Sequence, residues 1–221
     1  MKHGTLKLAC LALAVVAFVT SPLVAKADTI TLELISGATN ITITDNGVGD
    51  SNPAIGQITY IGAVGGWNLN VTTGSGTAVL KPGSIDVNSV DETSGSTPLK
   101  IIFTDSSLTT PVGNQDYTMA VGGTLGSGEG ITYQAFYNAT LLNTLGAFTS
   151  GPGFSGATGG TNDFVSPYSL QEQITLTASG VSSSQSSFDA SFAIPEPASL
   201  SLLGLGFVVA AGGLRKRLLN R

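Results

Sequence analysis

The sequence has 221 residues, of which 10% are charged, against about 25% in ordinary soluble domains. The stretch from Asp28 to Glu196 contains all fourteen acidic residues but only two basic ones, Lys81 and Lys100, which gives it a net charge of −12. Binding of nucleic acid or of anionic lipid requires basic patches. The composition therefore excludes nucleic acid as a partner of this stretch, whereas it permits the attraction of cations.

Cysteine and histidine each occur once. Cys10 and His3 lie near the N-terminus, so the chain after residue 27 contains neither. This excludes disulfide scaffolds, thiolate or histidine metal sites, and Ser-His-Asp or Cys-His catalysis from that part of the chain. A two-carboxylate glycosidase mechanism remains open, and Asp91-Glu92, Asp105 and Asp116 are available carboxylates. Because nothing in the pattern singles them out, we expect no enzymatic activity.

The first 27 residues have the three parts of a secretory signal peptide. Lys2 and Lys7 provide a positive start, and Leu8–Val19 is an uncharged apolar run that is short for a membrane-spanning helix. The small-x-small pattern Ala25-Lys26-Ala27 fits cleavage by signal peptidase, which places the new N-terminus at Asp28. The sequence therefore predicts export, with residues 1–27 as a removed signal.

Apolar and polar residues alternate through most of the following stretch. A period of two is typical of strands with one buried and one solvated face, and Gly, Asn, Asp and Pro separate the runs as turn formers. No sustained period of 3.6 residues is present. The pattern predicts ten short strands, at Thr29–Leu34, Asn40–Thr44, Gln57–Ala63, Trp67–Val71, Ile85–Val90, Leu99–Phe103, Tyr117–Val121, Ile131–Tyr137, Gln173–Ala178 and Phe188–Phe192.

The predicted inward positions supply enough large side chains for one hydrophobic core, among them Trp67, Phe103, Phe188 and Phe192. The opposite faces are rich in Thr, Ser and Asn. These features predict an all-β domain over residues 28–193, an antiparallel β-sandwich with either jelly-roll or immunoglobulin-like topology. The glycine-rich run Gly146–Gly160 interrupts the alternation, and we expect it to be a long flexible insertion.

The most polar local cluster lies at residues 45–52, with the sequence DNGVGDSN. Carboxylate and amide oxygens are ligands that Ca²⁺ prefers, so Asp45, Asn46, Asp50 and Asn52 are candidate calcium ligands. The segment lacks the spacing and the glutamate of an EF-hand. Because Asn-Gly and Asp-Ser-Asn are also turn formers, the alternative is a plain turn between two strands. Apart from this calcium candidate, the sequence predicts no cofactor.

The C-terminal region contains three consecutive elements, beginning with Ile194-Pro195-Glu196-Pro197. The two prolines restrict φ and hold the backbone extended, a form that a protease cleft can read. Ala198–Leu214 follows with seventeen uncharged residues, at the lower limit for crossing a hydrocarbon core of about 30 Å. The basic cluster Arg215-Lys216-Arg217 ends it, and the positive-inside rule keeps such a cluster cytoplasmic. We therefore predict a transmembrane helix at residues 198–214, with the domain outside.

This order of Pro-Glu-Pro motif, short apolar helix and basic end resembles the PEP-CTERM sorting signal. The resemblance covers Ile194 to about Arg217, and we assign residues 194–221 to a sorting region. It implies that exosortase, a membrane-embedded protease or transpeptidase, recognises Pro195, Glu196 and Pro197 and cleaves nearby. It also implies export by a bacterium that makes extracellular polysaccharide. The tail has also been called an ice-binding protein C-terminal domain, a name that implies nothing about ice for this chain.

Together these features predict an exported bacterial protein, anchored by its C-terminal helix before processing and then located at the cell surface or in the extracellular matrix. The expected partners are signal peptidase, exosortase, the membrane and extracellular polysaccharide. Two alternatives stay open for the β domain: a Ca²⁺-assisted carbohydrate-binding adhesin or lectin, and a glycan-cleaving enzyme. A patch of exposed aromatic side chains beside residues 45–52 would favour the carbohydrate-binding module. A cleft with two facing carboxylates, one of raised pKa, would favour the glycan-cleaving enzyme.

Overall fold

The computed structural model describes residues 29–195, except for residues 94, 150, 152 and 181–183. Every regular element in this part of the chain is a β-strand, as the period-two alternation predicts. The twelve strands are β1 (Thr29–Ser36), β2 (Thr39–Thr44), β3 (Gln57–Val64), β4 (Trp67–Ser75), β5 (Ser84–Thr93), β6 (Leu99–Leu108), β7 (Gly113–Thr124), β8 (Glu129–Tyr137), β9 (Thr140–Thr149), β10 (Phe154–Phe164), β11 (Tyr168–Ala178) and β12 (Ser184–Ala193).

The strands form two six-stranded antiparallel sheets. Sheet A has the order β2-β1-β6-β11-β8-β9, and sheet B has the order β10-β7-β12-β5-β4-β3. The last eight strands pair in a nested way: β5 with β12, β6 with β11, β7 with β10 and β8 with β9. This nesting is the arrangement of a jelly roll, to which the hairpins β1-β2 and β3-β4 add one edge of each sheet. The predicted all-β sandwich is confirmed, and its strand order is that of the jelly-roll alternative.

The hydrophobic core lies between the inner faces of the two sheets. In β11, for example, every second side chain from the first residue to the last is buried. The indole Nε1–H of Trp67 donates to the Thr97 carbonyl oxygen at 2.7 Å, which satisfies its polar atom inside the core. Four large side chains predicted to point inward are each at most 4% exposed: Trp67, Phe103, Phe188 and Phe192.

The strand directions bring both ends of the described chain to one end of the sandwich. Thr29 at the start of β1 pairs with Ser106 near the end of β6, and Ala193 at the end of β12 pairs with Ser84 at the start of β5. We name this the tail end; it contains the loops 45–56, 76–83, 109–112 and 165–167 and the turn 138–139. The opposite end, named the far end, contains the connections 37–38, 65–66, 94–98, 125–128, 150–153 and 179–183.

The prediction of a flexible insertion at Gly146–Gly160 is wrong, because most of these residues belong to β9 and β10. The two strands are the edge strands of sheets A and B. Their glycines permit close approach: a Cβ on Gly159 would lie 2.5 Å from the Tyr117 carbonyl oxygen, and one on Gly156 would lie 2.7 Å from Phe148 Cζ. The glycines here permit tight contact both within sheet B and between the two sheets, and this is why the pattern missed two strands.

The predicted signal segment and the predicted helix at residues 198–214 lie outside the described residues. Within the part that is described, no helix is long and apolar enough to cross a membrane. The strands run from Thr29 to Ala193, which is the stretch predicted to form the sandwich. The division of the chain into signal, sandwich and sorting region stays a prediction.

Gly74 in β4 provides a test of the packing between the sheets. It is buried, and a Cβ there would lie 2.2 Å from Phe103 Cδ2. Because the Phe103 ring is fully buried on the facing sheet, it has no room to withdraw. We therefore expect Gly74→Ala to lower the free energy of unfolding by about 1–3 kcal/mol in urea denaturation. Gly95→Ala is the matched control, since no atom lies within 4 Å of its added Cβ; an equal loss in both variants would contradict this packing.

Candidate functional site

The last strand leads directly into the predicted sorting segment. β12 ends at Ala193, and the next residue, Ile194, is fully buried and donates its N–H to the Gly83 carbonyl oxygen at 2.9 Å. Pro195, which follows, is exposed. The folded domain therefore ends one residue before the Pro-Glu-Pro motif, with no linker between them.

The place of β12 in sheet B determines where this junction lies. β12 is an interior strand between β7 and β5, and residues 187–193 pair on both sides. A Cβ on Gly83 would lie 2.8 Å from Pro111 Cδ and 3.0 Å from Ile194 Cβ, so the loops around the junction pack closely. Pro195 consequently leaves the domain at a defined position on the tail end.

Asp50 organises the loop 45–56 at the same end. Its Oδ1 accepts hydrogen bonds from the backbone N–H groups of Asn52 and Thr59, at 2.9 and 3.0 Å. Its Oδ2 accepts one from the N–H of Asn46 at 2.9 Å. Both carboxylate oxygens are thus engaged by backbone groups of the loop and of β3, which is the local bonding typical of Asx turns.

The other three candidate calcium ligands, Asp45, Asn46 and Asn52, are engaged in the same loop. Asp45 accepts from Gly56 N–H at 2.9 Å and from the side-chain amide of Asn46 at 3.0 Å. Asn52 Oδ1 accepts from Ala54 N–H at 3.0 Å. Within the described residues, no group of three or more Asp, Glu, His or Cys side chains is placed to hold a metal ion. The observed bonding is that of the turn alternative, and calcium binding stays a prediction.

Two aspartates that the sequence pattern did not single out lie side by side on the outer face of sheet B. Asp86 in β5 lies opposite Ser191 of the adjacent β12, and Asp189 of β12 lies opposite Asn88 of β5. The two aspartates are therefore diagonal neighbours on adjacent strands. They line a shallow groove of about 620 Å³ together with small residues of β7 and β10. Alternation places both aspartates outward, but their adjacency depends on pairing between strands about a hundred residues apart, which the pattern does not show.

The two outer carboxyl groups influence each other. Burial raises the pKa of Asp86 to about 6, and the charge of Asp189 and a hydrogen bond with it add to the rise, against a smaller lowering by Asn88. Glycosidase carboxyl groups instead stand about 5–10 Å apart on either side of the bond they cleave. Asp86 and Asp189 share a hydrogen bond, so their carboxyl groups lack the separation that the glycan-cleaving alternative requires.

Four further carboxyl side chains are buried inside the sandwich. Glu172 Oε1 accepts from the Tyr133 hydroxyl at 2.5 Å, and Glu129 Oε2 accepts from Gly126 N–H at 2.8 Å. The only basic residues between Asp28 and Glu196 are Lys81 and Lys100, and neither is buried. The buried carboxyl groups, each at most 2% exposed, are Asp91, Asp105, Glu129 and Glu172.

The carboxylates that the sequence offered for chemistry are therefore dispersed. Asp91 and Asp105 are in the interior, whereas Glu92 and Asp116 are exposed. Asp105 Oδ2 accepts from the Thr77 N–H and hydroxyl at 2.8 and 3.0 Å, which joins sheet A to the loop after β4. The four side chains are thus divided between the interior and the surface.

Burial has a large effect on the pKa of two of the interior acids, Asp91 and Glu172. It raises the pKa of Asp91 to about 7; the hydrogen bond from Ser89 opposes this rise, and the charge of Glu129 adds to it. Burial likewise raises the pKa of Glu172 well above its usual range, although the hydrogen bond from Tyr133 opposes the rise. A carboxyl group without a basic partner is stabilised in such a site by keeping its proton.

The residues around the junction match a known family model. The model describes the PEP-CTERM protein-sorting motif, and it matches residues 193–217. The chain carries a PEP-CTERM sorting motif. The match begins at the last residue of β12 and includes the predicted recognition residues Pro195, Glu196 and Pro197. It confirms the resemblance and implies processing by exosortase.

Most residues of the PEP-CTERM motif lie outside the described part of the chain, which ends at Pro195. The same holds for the predicted basic stop, Arg215, Lys216 and Arg217. The predicted signal cleavage residues Ala25, Ala27 and Asp28 also lie outside it. Their roles as a membrane stop and as a signal peptidase site stay predictions.

Beyond the PEP-CTERM motif, no curated protein matches the sequence. A family 35 carbohydrate-binding module from Clostridium thermocellum is 12% identical, over 62% of this chain and 90% of that chain, with a TM-score of 0.31. The adhesin domain of Epf from Streptococcus pyogenes is 10% identical, over 76% and 60%, with a TM-score of 0.35. Family 16 Carbohydrate Binding Module-2 is 10% identical, over 45% and 72%, with a TM-score of 0.31. Similarities this low carry no argument about function.

The pKa of Asp91 predicts an unusual dependence of stability on pH. An acid with a higher pKa in the folded state binds its proton more tightly when folded, so stability falls as the pH rises from the unfolded value, near 4, through the folded value, about 7. At about 1.4 kcal/mol per pH unit, Asp91 makes the free energy of unfolding fall by roughly 4 kcal/mol between pH 4 and pH 8.

Urea denaturation across this pH range tests the assignment. Asp91→Asn keeps the size of the side chain and an acceptor for Ser89 but cannot ionise, so we expect its stability to vary less with pH than that of the wild type. Asp163→Asn, a change at an exposed aspartate, is the control and should follow the wild-type profile. A profile of Asp91→Asn parallel to the wild type would show that Asp91 ionises as freely in the folded state as in the unfolded one.

Proposed function

We propose that this chain is an exported surface protein that exosortase sorts through its PEP-CTERM tail, and that the jelly-roll domain acts in the extracellular matrix, in association with exopolysaccharide. The observation that supports sorting is that the matched motif begins at the residue where the fold ends. Because Ile194 is buried and Pro195 is exposed, the first residue of the motif is accessible to another protein.

A non-catalytic role for the domain is supported by its polar groups. The chain after residue 27 has no histidine or cysteine. Its interior carboxyl groups are enclosed, and the outer pair Asp86 and Asp189 is too close for the two roles of a glycosidase. What remains on the surface is an acidic domain covered with Thr, Ser and Asn, which suits a structural component of a hydrated matrix.

Fractionation and intact-mass analysis in wild-type and exosortase-deleted cells test the sorting proposal. In wild-type cells we expect a mature chain that ends near residues 195–197 and leaves the membrane fraction. In deleted cells it should keep residues 198–221 and stay with the membrane. Glu196→Ala should behave in wild-type cells as the unaltered chain does in deleted cells, because the recognition motif is damaged.

Glu92→Ala is the matched control, since it removes an exposed glutamate from β5 and leaves the tail intact. We expect this variant to be processed like the wild type. A mature chain that retains residues 198–221 in both strains would refute sorting by exosortase.

The alternative function is a carbohydrate-binding adhesin or lectin assisted by Ca²⁺, and the groove above Asp86 and Asp189 is the observation that favours it. Carboxyl groups accept hydrogen bonds from sugar hydroxyls, and the Gly, Ala and Ser side chains around them leave space for a ligand. Against it, no aromatic side chain lines the groove. The large exposed apolar side chains of the described part, including those beside residues 45–52, are all aliphatic.

Binding of the full chain to a glycan array, with and without Ca²⁺, separates the two functions. The array should include exopolysaccharide from the producing cells. Under the alternative, we expect binding that Asp189→Asn reduces several-fold and that Asp163→Asn, distant from the groove, does not change. Absence of binding in both conditions would remove the lectin function and leave the structural one.

A further inference from the structure

The exposed apolar side chains of the domain are concentrated at the tail end. Single exposed apolar residues are ordinary on soluble proteins, whereas clusters mark interaction surfaces. Of the eight large apolar side chains that are exposed among the described residues, seven lie in the tail-end loops or beside the tail-end turn. We name these seven the apolar rim: Val48, Ile55, Val79, Leu80, Val112, Leu141 and Val165.

The loops that hold the apolar rim are in mutual contact. A Cβ on Gly56 would lie 2.8 Å from Ala78 Cβ, which joins the loops 45–56 and 76–83. The close approach of Gly83 to Pro111 joins the loops 76–83 and 109–112. On the other side of the tail end, Val165 N–H donates to the Tyr137 hydroxyl at 2.9 Å, so the loop 165–167 packs on the end of β8. The pairing of Gly113 with Phe164 places the loops 109–112 and 165–167 beside each other, so the rim belongs to one continuous end surface.

The far end has a different composition. The described residues of its six connections are Gly, Ala, Ser, Thr and Pro, with Leu125 as the one larger apolar residue among them. Leu125 is only 7% exposed and belongs to the core. The two ends of the same sandwich thus differ in polarity, although both consist of loops that connect amphipathic strands of the same kind.

The chain enters its apolar segment from the rim side. Ala198, where the uncharged stretch of seventeen residues begins, is three residues after Pro195, and three extended residues span at most about 11 Å. The polar headgroup layer of a bilayer is about 5–8 Å thick on each side. A segment inserted from Ala198 onward therefore holds the tail end at headgroup depth.

We propose that the apolar rim is a membrane-contacting surface, which inserts its side chains between lipid headgroups while the PEP-CTERM tail is in the bilayer. This inference rests on the proposed function, because it takes the tail as a membrane anchor before processing. The contact is with the apolar part of the interface, and its occupant is lipid. The rim orients the domain so that Pro195 lies at the membrane surface, where a membrane-embedded protease can reach it.

The charges of the domain define the kind of membrane involved. Among the described residues, Asp45, Asp50 and Asp163 lie at the tail end with a single basic residue, Lys81. Binding through electrostatic attraction to anionic lipid is therefore excluded, and insertion must depend on apolar burial. Vesicles of phosphatidylcholine alone should be sufficient.

The experiment uses the full chain with Cys10→Ala, purified from exosortase-deleted cells and reconstituted in phosphatidylcholine vesicles. Single cysteines carry an environment-sensitive fluorophore at the rim (Val79→Cys, Val165→Cys), at the far end (Ser96→Cys) or in the tail (Val208→Cys). Phosphatidylcholine spin-labelled near the headgroup serves as the quencher. We expect the quencher to reduce fluorescence at both rim positions and not at Ser96→Cys.

Val208→Cys separates the two levels of the proposal. Quenching in the tail with no quenching at either rim position would overturn the rim and leave the anchored tail intact. No quenching at any position would overturn both. Rim emission that is shifted to the blue but not quenched by the spin-labelled lipid would show that protein, such as a second copy of this chain, covers the rim. This result would also overturn the proposed contact between the rim and lipid. Fluorescence of Trp67, buried near the far end, verifies that each variant is folded.

Discussion

β12 is paired on both sides within sheet B, and the burial of Ile194 immediately after it holds the end of the domain against the loops of the tail end. The nested order of the jelly roll makes this placement unavoidable, because the last strand must lie beside β5 and run toward the end at which β1 begins. The direction in which the tail leaves, the loops that surround it and the difference between the two ends all depend on this pairing.

The interior reflects a second constraint, the scarcity of bases. Lys81 and Lys100 are the only basic residues among those that the structure describes, and neither is buried. The structure instead uses hydroxyl and backbone donors, as in the contact between Tyr133 and Glu172. Such donors offset only part of the cost of burying a charge. Burial therefore raises the pKa of Asp91 and of Glu172, and the stability of the fold is coupled to the acidity of its surroundings.

Much of the fold could be predicted from the sequence, because alternation reports burial directly; ten strands and the inward position of Trp67 follow from it. The strands β9 and β10 were missed because glycines used for close approach, such as Gly159, resemble loop composition. The sorting motif could be predicted because its residues are consecutive. The pair Asp86 and Asp189 and the apolar rim could not, since both depend on which distant strands and loops become neighbours.

The geometry separates the two surfaces to which we assign different proposed roles. The rim and the sorting motif lie on the tail end, whereas the groove above Asp86 and Asp189 lies on the outer face of sheet B. Contact of the tail end with lipid leaves this face and the far end open to the exterior. In the proposed sorting, cleavage after Pro195 removes only chain beyond Ile194, the last buried residue of the described part, so it breaks no pairing of β12. In the proposed function, release by exosortase therefore changes the location of the domain without changing these surfaces.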